Sequence, residues 1–430
     1  DPYGFGLTET NGWFESGESF AGAEEIDSHG FSAELNWTLG DYTLTSVSAW
    51  DAADVSRLQD ADGAALAFMH ATFIADTSYW SQELRLASNY TGPWNWLAGV
   101  YYYGDRNRSF ANFAFGDLGG TGIGQSVRQE TESYAIFADI NYRFAERWTL
   151  SAGFRWTSDQ RTTSIETWLD NAAGVIGAPA APPSVVPVLP ANVLVTESMA
   201  RAAFLAPLIP YSELERTWRE PSGRVSLSYA IDDDRLLYGT VSRGFKGGEF
   251  NGVAIISPEE VSLTNPEYIT SYELGVKSSW LDSRLRANVA IFYMDYEDQQ
   301  VMTYLSPDAV FPALSNVGAS EISGVEFELE ARPGTGWALG LSGSYLDATV
   351  KDFFDPVLGN RAGNRLNDAP KWSFSGFARY EHALPKGTLS VQAQGSWSAF
   401  HYFQIENQPG LFTKSYGTVD ARAAYTFRND

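Results

Sequence analysis

Cysteine is absent from this chain of 430 residues, and its charged residues are few and unbalanced in sign. Without thiols there can be no disulfides, thiolate zinc sites, iron–sulfur clusters or cysteine nucleophiles. Only 29 Lys and Arg stand against 53 Asp and Glu, so the formal net charge is -24. This charge argues against a nucleic-acid partner, which would need clustered cations to displace counterions.

Long uninterrupted hydrophobic runs are also missing. The uncharged stretch 172–195 contains Pro179, Pro182, Pro183, Pro187 and Pro190, which would break a helix repeatedly, so we expect a loop there. The four His residues are scattered without a metal-ligand spacing, and no GxSxG elbow is present. The sequence therefore predicts no catalytic residues, no metal site, no cofactor and no enzyme.

What the chain does contain is alternation of apolar and polar residues. In 285–293, Leu285, Ala287, Val289 and the two following odd-numbered residues are apolar, with Arg286 and Asn288 between them. Similar patterns occur in 31–39, 134–144, 148–159, 325–331 and 418–427, and weaker ones in 42–50, 78–88, 94–103, 222–230, 235–245, 270–279, 337–346, 372–381 and 388–399. A period of two indicates a β-strand, because successive side chains leave opposite faces.

Fifteen predicted strands are joined alternately by short and long connections. The long connections are 51–77, 104–130, 158–216, 246–268, 297–315, 348–370 and 400–415. Tight turns on one side and long loops on the other are typical of an antiparallel transmembrane β-barrel, as are aromatic residues near the strand ends. A soluble all-β sandwich or propeller is the alternative, but it requires neither the strict rhythm nor such long loops.

The strand count is odd, whereas bacterial barrels close with an even number of strands. The first strand runs into a short turn, and Phe427-Arg428-Asn429-Asp430 reads as the start of another. We therefore expect 1–430 to be part of a single β-barrel domain within a longer chain.

Several segments resemble the TonB-dependent outer-membrane receptors. These segments are 266–277 (PEYITSYELGVK), 242–248 (SRGFKGG), 288–300 (NVAIFYMDYEDQQ) and 315–318 with 324–328 (SNVG and GVEFE). Ser81–Leu86 and Ala369–Ser373 also resemble segments of these receptors in their residue types. Each segment alone is weak, but their order and spacing are specific. The resemblance covers about residues 28–427.

The resemblance implies a 22-stranded barrel in the outer membrane of a Gram-negative bacterium, of which about 15 strands are visible. It also implies a plug domain encoded upstream and an active-transport role. Such a receptor binds a scarce solute, most commonly a ferric siderophore, and imports it into the periplasm with energy transmitted by TonB. The expected surroundings are outer-membrane lipid and lipopolysaccharide. Uptake of a carbohydrate or another metal complex, and a passive porin, are the alternatives.

Two groups of polar and aromatic residues are candidate sites. A charged lumen that contacts the plug is predicted from Glu326, Glu328, Glu330, Arg155, Arg286 and Arg379. Ligand contacts are predicted in the outer loops and upper lumen from Tyr103, Arg106, Arg108, Phe110, Arg243, Lys246, Phe250, Asn251, Tyr296, Gln299, Gln300, His401, Tyr402, Phe403 and Gln404. Cations and aromatic rings suit an anionic, aromatic ferric siderophore, whereas aromatic rings with Gln and Asn equally suit a sugar.

Overall fold

The alternating segments form one large antiparallel sheet. The computed structural model describes residues 21–61, 69–115, 121–171, 194–252, 256–303, 313–316 and 318–428. The first ten strands, in chain order, are β1 (Ala23–Leu39), β2 (Tyr42–Asp60), β3 (Met69–Ser88), β4 (Trp94–Phe115), β5 (Thr121–Ala145), β6 (Trp148–Asp170), β7 (Phe204–Asp232), β8 (Arg235–Lys246), β9 (Glu267–Trp280) and β10 (Leu285–Glu297).

Eleven further strands complete the described fold. They are β11 (Gln300–Thr303), β12 (Ala313–Asn316), β13 (Ala319–Ala331), β14 (Trp337–Asp352), β15 (Phe354–Asp355), β16 (Gly359–Asn360), β17 (Trp372–Leu384), β18 (Gly387–Ser398), β19 (His401–Tyr402), β20 (Phe412–Thr413) and β21 (Tyr416–Phe427). The large sheet has fifteen strands in the order β1 to β10, β13, β14, β17, β18 and β21. The remaining strands pair as β11–β12, β15–β16 and β19–β20, three short hairpins between the large strands. The fifteen-stranded antiparallel sheet expected from the sequence is confirmed.

The register of the sheet separates apolar from polar residues. Val289 lies directly opposite Val276 and Phe327, whereas its chain neighbour Asn288 lies opposite Lys277 and Glu328. Directly opposite residues share a face, so the alternation along the strands puts mostly apolar residues on one face of the sheet and mostly polar residues on the other. We refer to these two surfaces as the apolar face and the polar face.

The polar face is the concave side of the sheet. A single cavity of 610 Å³ is lined from eight strands, β8 to β10, β13, β14, β17, β18 and β21, and includes Tyr238, Asn288, Glu326 and Ser375. Seven spacings between flat neighbouring strands would cover about 34 Å. One cavity can reach all eight strands only because the sheet curls around it. The apolar face therefore points outward, where Val289 is 45% exposed.

Aromatic side chains form two rows on the apolar face. One row follows the short turns and includes the ring pairs Trp148–Tyr229 and Trp337–Tyr380, at 4.7 and 4.8 Å between centroids. The second row crosses the middle of the longer strands, where Tyr102 lies 5.4 Å from the ring of Trp80. We call these rows the inner girdle and the outer girdle. Aromatic rings at these two levels are typical of the two interfaces of a bilayer.

Two of the seven predicted long connections, 51–77 and 104–130, are largely strand. In the connection predicted at 51–77, β2 continues to Asp60 and β3 begins at Met69; 104–130 belongs largely to β4 and β5, and the two ends of 158–216 belong to β6 and β7. The first strand also begins earlier, at Ala23 rather than Phe31. These predictions were wrong because backbone pairing needs no apolar face, so hairpins can continue beyond the bilayer with polar residues on both sides. Residues 172–193 of the expected proline-rich loop lie outside the described residues.

The extended hairpins have a small hydrophobic core of their own. Phe110, Trp168 and Val195 are buried beneath a six-residue helix α1 (Glu197–Ala202). Thr196 caps this helix by accepting a hydrogen bond from the Met199 N–H, at 3.4 Å. The described residues include no helix that is both long and apolar enough to cross a membrane.

Val289→Arg is expected to destabilise the folded barrel by about 2–4 kcal/mol, because its side chain would enter the hydrocarbon near mid-membrane. The matched control is Asn288→Arg, one residue away on the polar face beside Glu328. Heat-modifiable electrophoretic mobility and urea unfolding of the protein in bilayers measure the difference. Equal destabilisation by both substitutions would contradict the assignment of the two faces.

Candidate functional site

A buried carboxylate ties the outer ends of three strands together. Glu267, at the start of β9, is only 6% exposed. Its Oε1 accepts a hydrogen bond from the Tyr296 hydroxyl at 2.8 Å and lies 3.2 Å from the Lys246 Nζ. Its Oε2 accepts the Gln300 backbone N–H at 2.6 Å. A buried charge is stable only when it is paired and hydrogen-bonded in this way.

Gln300 extends this arrangement into the loops. Its side-chain amide donates to the carbonyl oxygens of Gly247 and Asn265, both at 2.9 Å. We call Glu267, Lys246, Tyr296 and Gln300 the Glu267 clamp. The clamp joins the loop after β8 to the β11–β12 hairpin and so gives the outer loops a fixed base.

A cavity of 510 Å³ opens among the loops beside this clamp. It lies between the β11–β12 hairpin, the β15–β16 hairpin and the segment that includes β19 and β20. Its lining consists of Gln299, Gln300, Val301, Met302, Thr303, Asp355, Val357, Leu358, Asn367, Phe403, Gln404, Ile405, Glu406 and Gln408. We call it the loop cavity.

An apolar cluster holds the walls of the loop cavity. Val350, Phe353, Leu366 and Ile405 are buried against one another, although they come from two different connections, 348–370 and 400–415. Asp355 is 1% exposed and accepts the backbone N–H groups of Val357 and Leu358, each at 2.7 Å. The cavity is thus built on packed and hydrogen-bonded backbone.

Glu406 is a partly buried carboxyl in the lining of the loop cavity. Burial raises the pKa of its carboxyl above the ordinary value, and the charge of Asp355 adds to this effect. A backbone hydrogen bond and the guanidinium of Arg361 oppose it. Protonation of Glu406 therefore costs less in the folded loops than in the unfolded chain.

The chemistry of the loop cavity is that of a binding site. Amide groups of Gln299, Gln404 and Asn367 offer both donors and acceptors, and Phe403 presents a ring that is 51% exposed. Polar groups that fix orientation beside an apolar surface are what small-ligand sites generally contain.

The loop cavity brings together four of the predicted ligand residues, Gln299, Gln300, Phe403 and Gln404. His401 and Tyr402 form the adjacent strand β19, where the Tyr402 ring contacts Phe412. Lys246 and Tyr296 belong to the Glu267 clamp. Ligand contact by all of these residues stays a prediction.

The remaining predicted ligand residues lie elsewhere. Phe110, Phe250 and Asn251 are buried, at 4%, 4% and 2% exposure. The expected position of Tyr103, Arg106, Arg108 and Phe110 in a loop was wrong, because all four lie within β4. The Tyr103 hydroxyl donates to Asp105 on the polar face at 3.1 Å.

Register places three predicted cations on the apolar face. Arg243 lies opposite Gly223 and Thr270, in the same alternation as Val241. Arg106 and Arg108 follow Tyr102 on the outward side of β4. The sequence predicts these three arginines in the loops and the upper lumen. That position is wrong, because the alternation of the inner strand segments continues into the outer ends of β4 and β8.

All six predicted lumen residues lie on the polar face. Arg286 pairs with Glu330 at 3.4 Å, and Asn288 donates to Glu328 at 3.1 Å. Arg379 pairs with Glu381. Arg155 lies over the ring of Tyr101, with its Cζ 5.0 Å from the centroid. Glu326 lines the 610 Å³ cavity. Contact with a plug stays a prediction.

Sequence reasoning missed the residues whose role depends on distant partners. Met302, Asn367, Glu406 and Gln408 line the loop cavity, and Glu267 organises its base. Of these residues, only Glu267 had a local sequence signal, because it follows Pro266 at the start of the segment that carries the family resemblance.

A curved antiparallel sheet with an outward apolar face, two aromatic girdles and a cavity among outer loops defines an outer-membrane β-barrel. The whole chain, residues 1–430, matches the family described as TonB dependent receptor-like, beta-barrel. The chain belongs to this family, whose members are transport receptors of the Gram-negative outer membrane.

Individual relatives are distant. The chain is 24% identical over 395 residues to the pesticin receptor of Yersinia pestis, covering 90% of this chain and 49% of the relative. The chain thus spans about half the length of the curated relatives it matches.

Solved structures share the fold. The ferric yersiniabactin uptake receptor FyuA from Yersinia pestis superimposes with a TM-score of 0.73 at 19% identity, covering 94% of this chain and 54% of that one. The siderophore receptor PiuA from Acinetobacter baumannii gives a TM-score of 0.70 at 17% identity, with 94% and 58% covered.

Glu267→Gln is expected to loosen the loops while leaving the sheet intact, because the ion pair to Lys246 is lost and the remaining hydrogen bonds weaken. The expected cost is about 1–3 kcal/mol of local stability. Hydrogen exchange should become faster in 246–252 and 298–303 and stay unchanged in β10. Glu297→Gln, which removes an exposed partner of Arg243, is the matched control. An unchanged exchange rate in these loops would contradict the clamp.

Glu406→Gln is expected to flatten the pH dependence of order in the loop cavity. With a raised pKa, the wild-type carboxyl favours the folded loops fully below its ordinary value of 4.5, and this contribution is lost as the pH rises through the raised pKa. Hydrogen exchange of 399–415, measured at pH 4 and pH 7, should therefore change less in the variant. An identical pH response in both proteins would exclude Glu406 as its source.

Proposed function

We propose that the chain is part of the barrel of an outer-membrane active-transport receptor that binds a ferric siderophore and imports it into the periplasm. The observation that carries this proposal is the loop cavity, a fixed pocket with amide and aromatic groups at the outer end of a barrel of this family. A general diffusion channel has no need for a pocket of this kind.

The solute class is supported by the relatives. Two proteins that share the fold are a ferric yersiniabactin uptake receptor and a siderophore receptor. The Phe403 ring suits the flat aromatic surface of such a chelate, and the neighbouring amides suit its carbonyl and hydroxyl groups.

Transport in this proposal requires a plug domain encoded upstream and energy from TonB. The polar face offers the plug a surface with charges of both signs, including the Arg286–Glu330 pair. The receptor performs no chemical step, because import changes only the location of the solute. Outer-membrane lipid and lipopolysaccharide surround the apolar face.

The double substitution Phe403→Ala and Gln404→Ala tests the binding role in the full-length receptor. Loss of the ring and an amide is expected to weaken binding of ferric yersiniabactin, or of whichever ferric siderophore in a panel binds the wild type, about tenfold. Iron-55 uptake by iron-limited cells provides the functional measurement.

Phe204→Ala, an equally exposed ring on β7, is the control and should leave binding unchanged. Wild-type protein that binds a carbohydrate from a parallel panel but no ferric siderophore would overturn the assigned solute class. Binding that is unaffected by the double substitution would overturn the assigned site.

A further inference from the structure

The described lining of the loop cavity contains acidic side chains and no basic ones. Its two ionisable residues are Asp355 and Glu406, and neither has an ion pair with any residue that the structure describes. The charge of Asp355 is close enough to raise the pKa of Glu406, so the two carboxyl groups add to the same negative potential. An occupant with a positive charge would offset this potential, whereas an anion would increase the repulsion.

Three cations of the surrounding segments have partners outside the cavity. Arg365 donates to a backbone carbonyl oxygen at 3.2 Å, and its guanidinium lies over an aromatic ring, 4.9 Å from the centroid. Lys246 belongs to the Glu267 clamp, where it pairs at 3.2 Å. Arg361 offsets part of the charge on Glu406 but does not line the cavity. A ligand in the cavity would therefore meet carboxylates and amides rather than cations.

Two buried polar side chains in the lining each keep an atom without a hydrogen-bond partner in the described parts of the chain. One is the Oε1 of Gln300, although the nitrogen of the same amide donates twice. The other is the Oγ1 of Thr303. These residues are only 8% and 5% exposed. Because an unpaired buried polar atom is destabilising, the lining favours an occupant that supplies hydrogen-bond donors.

The remaining lining distinguishes an organic cation from a metal ion. Much of it is apolar, with Val301, Met302, Val357, Leu358, Phe403 and Ile405. A calcium ion would need about six to eight closely spaced oxygen ligands, and the described residues hold no group of three or more His, Cys, Asp or Glu placed to bind a metal. An ammonium group has three N–H donors for carboxylate and amide oxygens, and its carbon chain can lie on the apolar side chains.

We propose that the loop cavity selects ferric chelates that carry a protonated amine. The ammonium arm would point toward Glu406 and the amide oxygens, and the exposed ring of Phe403 would add a cation–π contact. This inference rests on the proposed function and adds the charge class of the solute. The sequence-derived expectation of an anionic chelate depends on cations such as Arg106 and Arg108, which lie on the apolar face and not in the cavity.

The test compares ferric chelates that differ in charge. Ferrioxamine B carries a free ammonium group, and its N-acetyl derivative has the same ferric trihydroxamate centre without that charge. Ferric enterobactin serves as the anionic catecholate. Each chelate is titrated into the full-length receptor by isothermal titration calorimetry. We expect ferrioxamine B to bind about tenfold more tightly than its N-acetyl derivative, and ferric enterobactin to bind most weakly.

Glu406→Gln keeps the size of the side chain and removes its charge, so it should bring the affinities of the two hydroxamates close to each other. Both ligands are measured on the same protein, so a general loosening of the loops would lower both affinities and leave their ratio unchanged. Glu197→Gln is the matched control, because it removes an exposed carboxylate of α1 that pairs with Arg201 at 2.9 Å outside the cavity. This control should keep the wild-type ratio.

Equal binding of the two hydroxamates by the wild type, or an unchanged ratio in Glu406→Gln, would overturn the charge selection. Tight binding of ferric enterobactin without binding of ferrioxamine B would overturn it and leave the proposed function intact. Binding of none of the three chelates would also overturn this inference. It would overturn the proposed function only if the whole siderophore panel failed to bind as well.

Discussion

The pairing of backbone hydrogen-bonding groups is the constraint on which the structure depends. Inside a bilayer no water can satisfy an open N–H or C=O, and each unpaired group costs several kcal/mol. The antiparallel pairing of the fifteen strands from β1 to β21 joins these groups strand by strand. Once the register is fixed, the pleat decides which side chains meet lipid and which meet the lumen.

This register produces the apolar face and the polar face, which have different roles. The apolar face holds the girdles that position the barrel in the membrane, and its outer margin carries charge. The polar face holds ion pairs such as Arg286–Glu330, and the loops above it form a pocket anchored by Glu267. In a transport receptor, an apolar face holds the barrel in the membrane, a polar face surrounds a plug, and a pocket in the loops recognises a solute.

Local pattern was sufficient to predict the membrane-embedded part. The alternation around Val289 and Asn288 predicted both the strand and its two faces, because a period of two is a property of neighbouring residues. The loop cavity could not be predicted in this way. Gln299 and Phe403 are separated by about a hundred residues, and packing of Val301 against the cluster of Val350, Leu366 and Ile405 brings their segments together.

The most direct test of the two-faced sheet is a single-cysteine scan of 285–293 in the full-length receptor, and residues 1–430 contain no cysteine to remove. Spin labels in lipid bilayers would report oxygen and lipid contact at each position. The account predicts a period of two, with contact at odd positions such as Val289 and little at even positions such as Asn288. Uniform accessibility, or a period near 3.6, would contradict it.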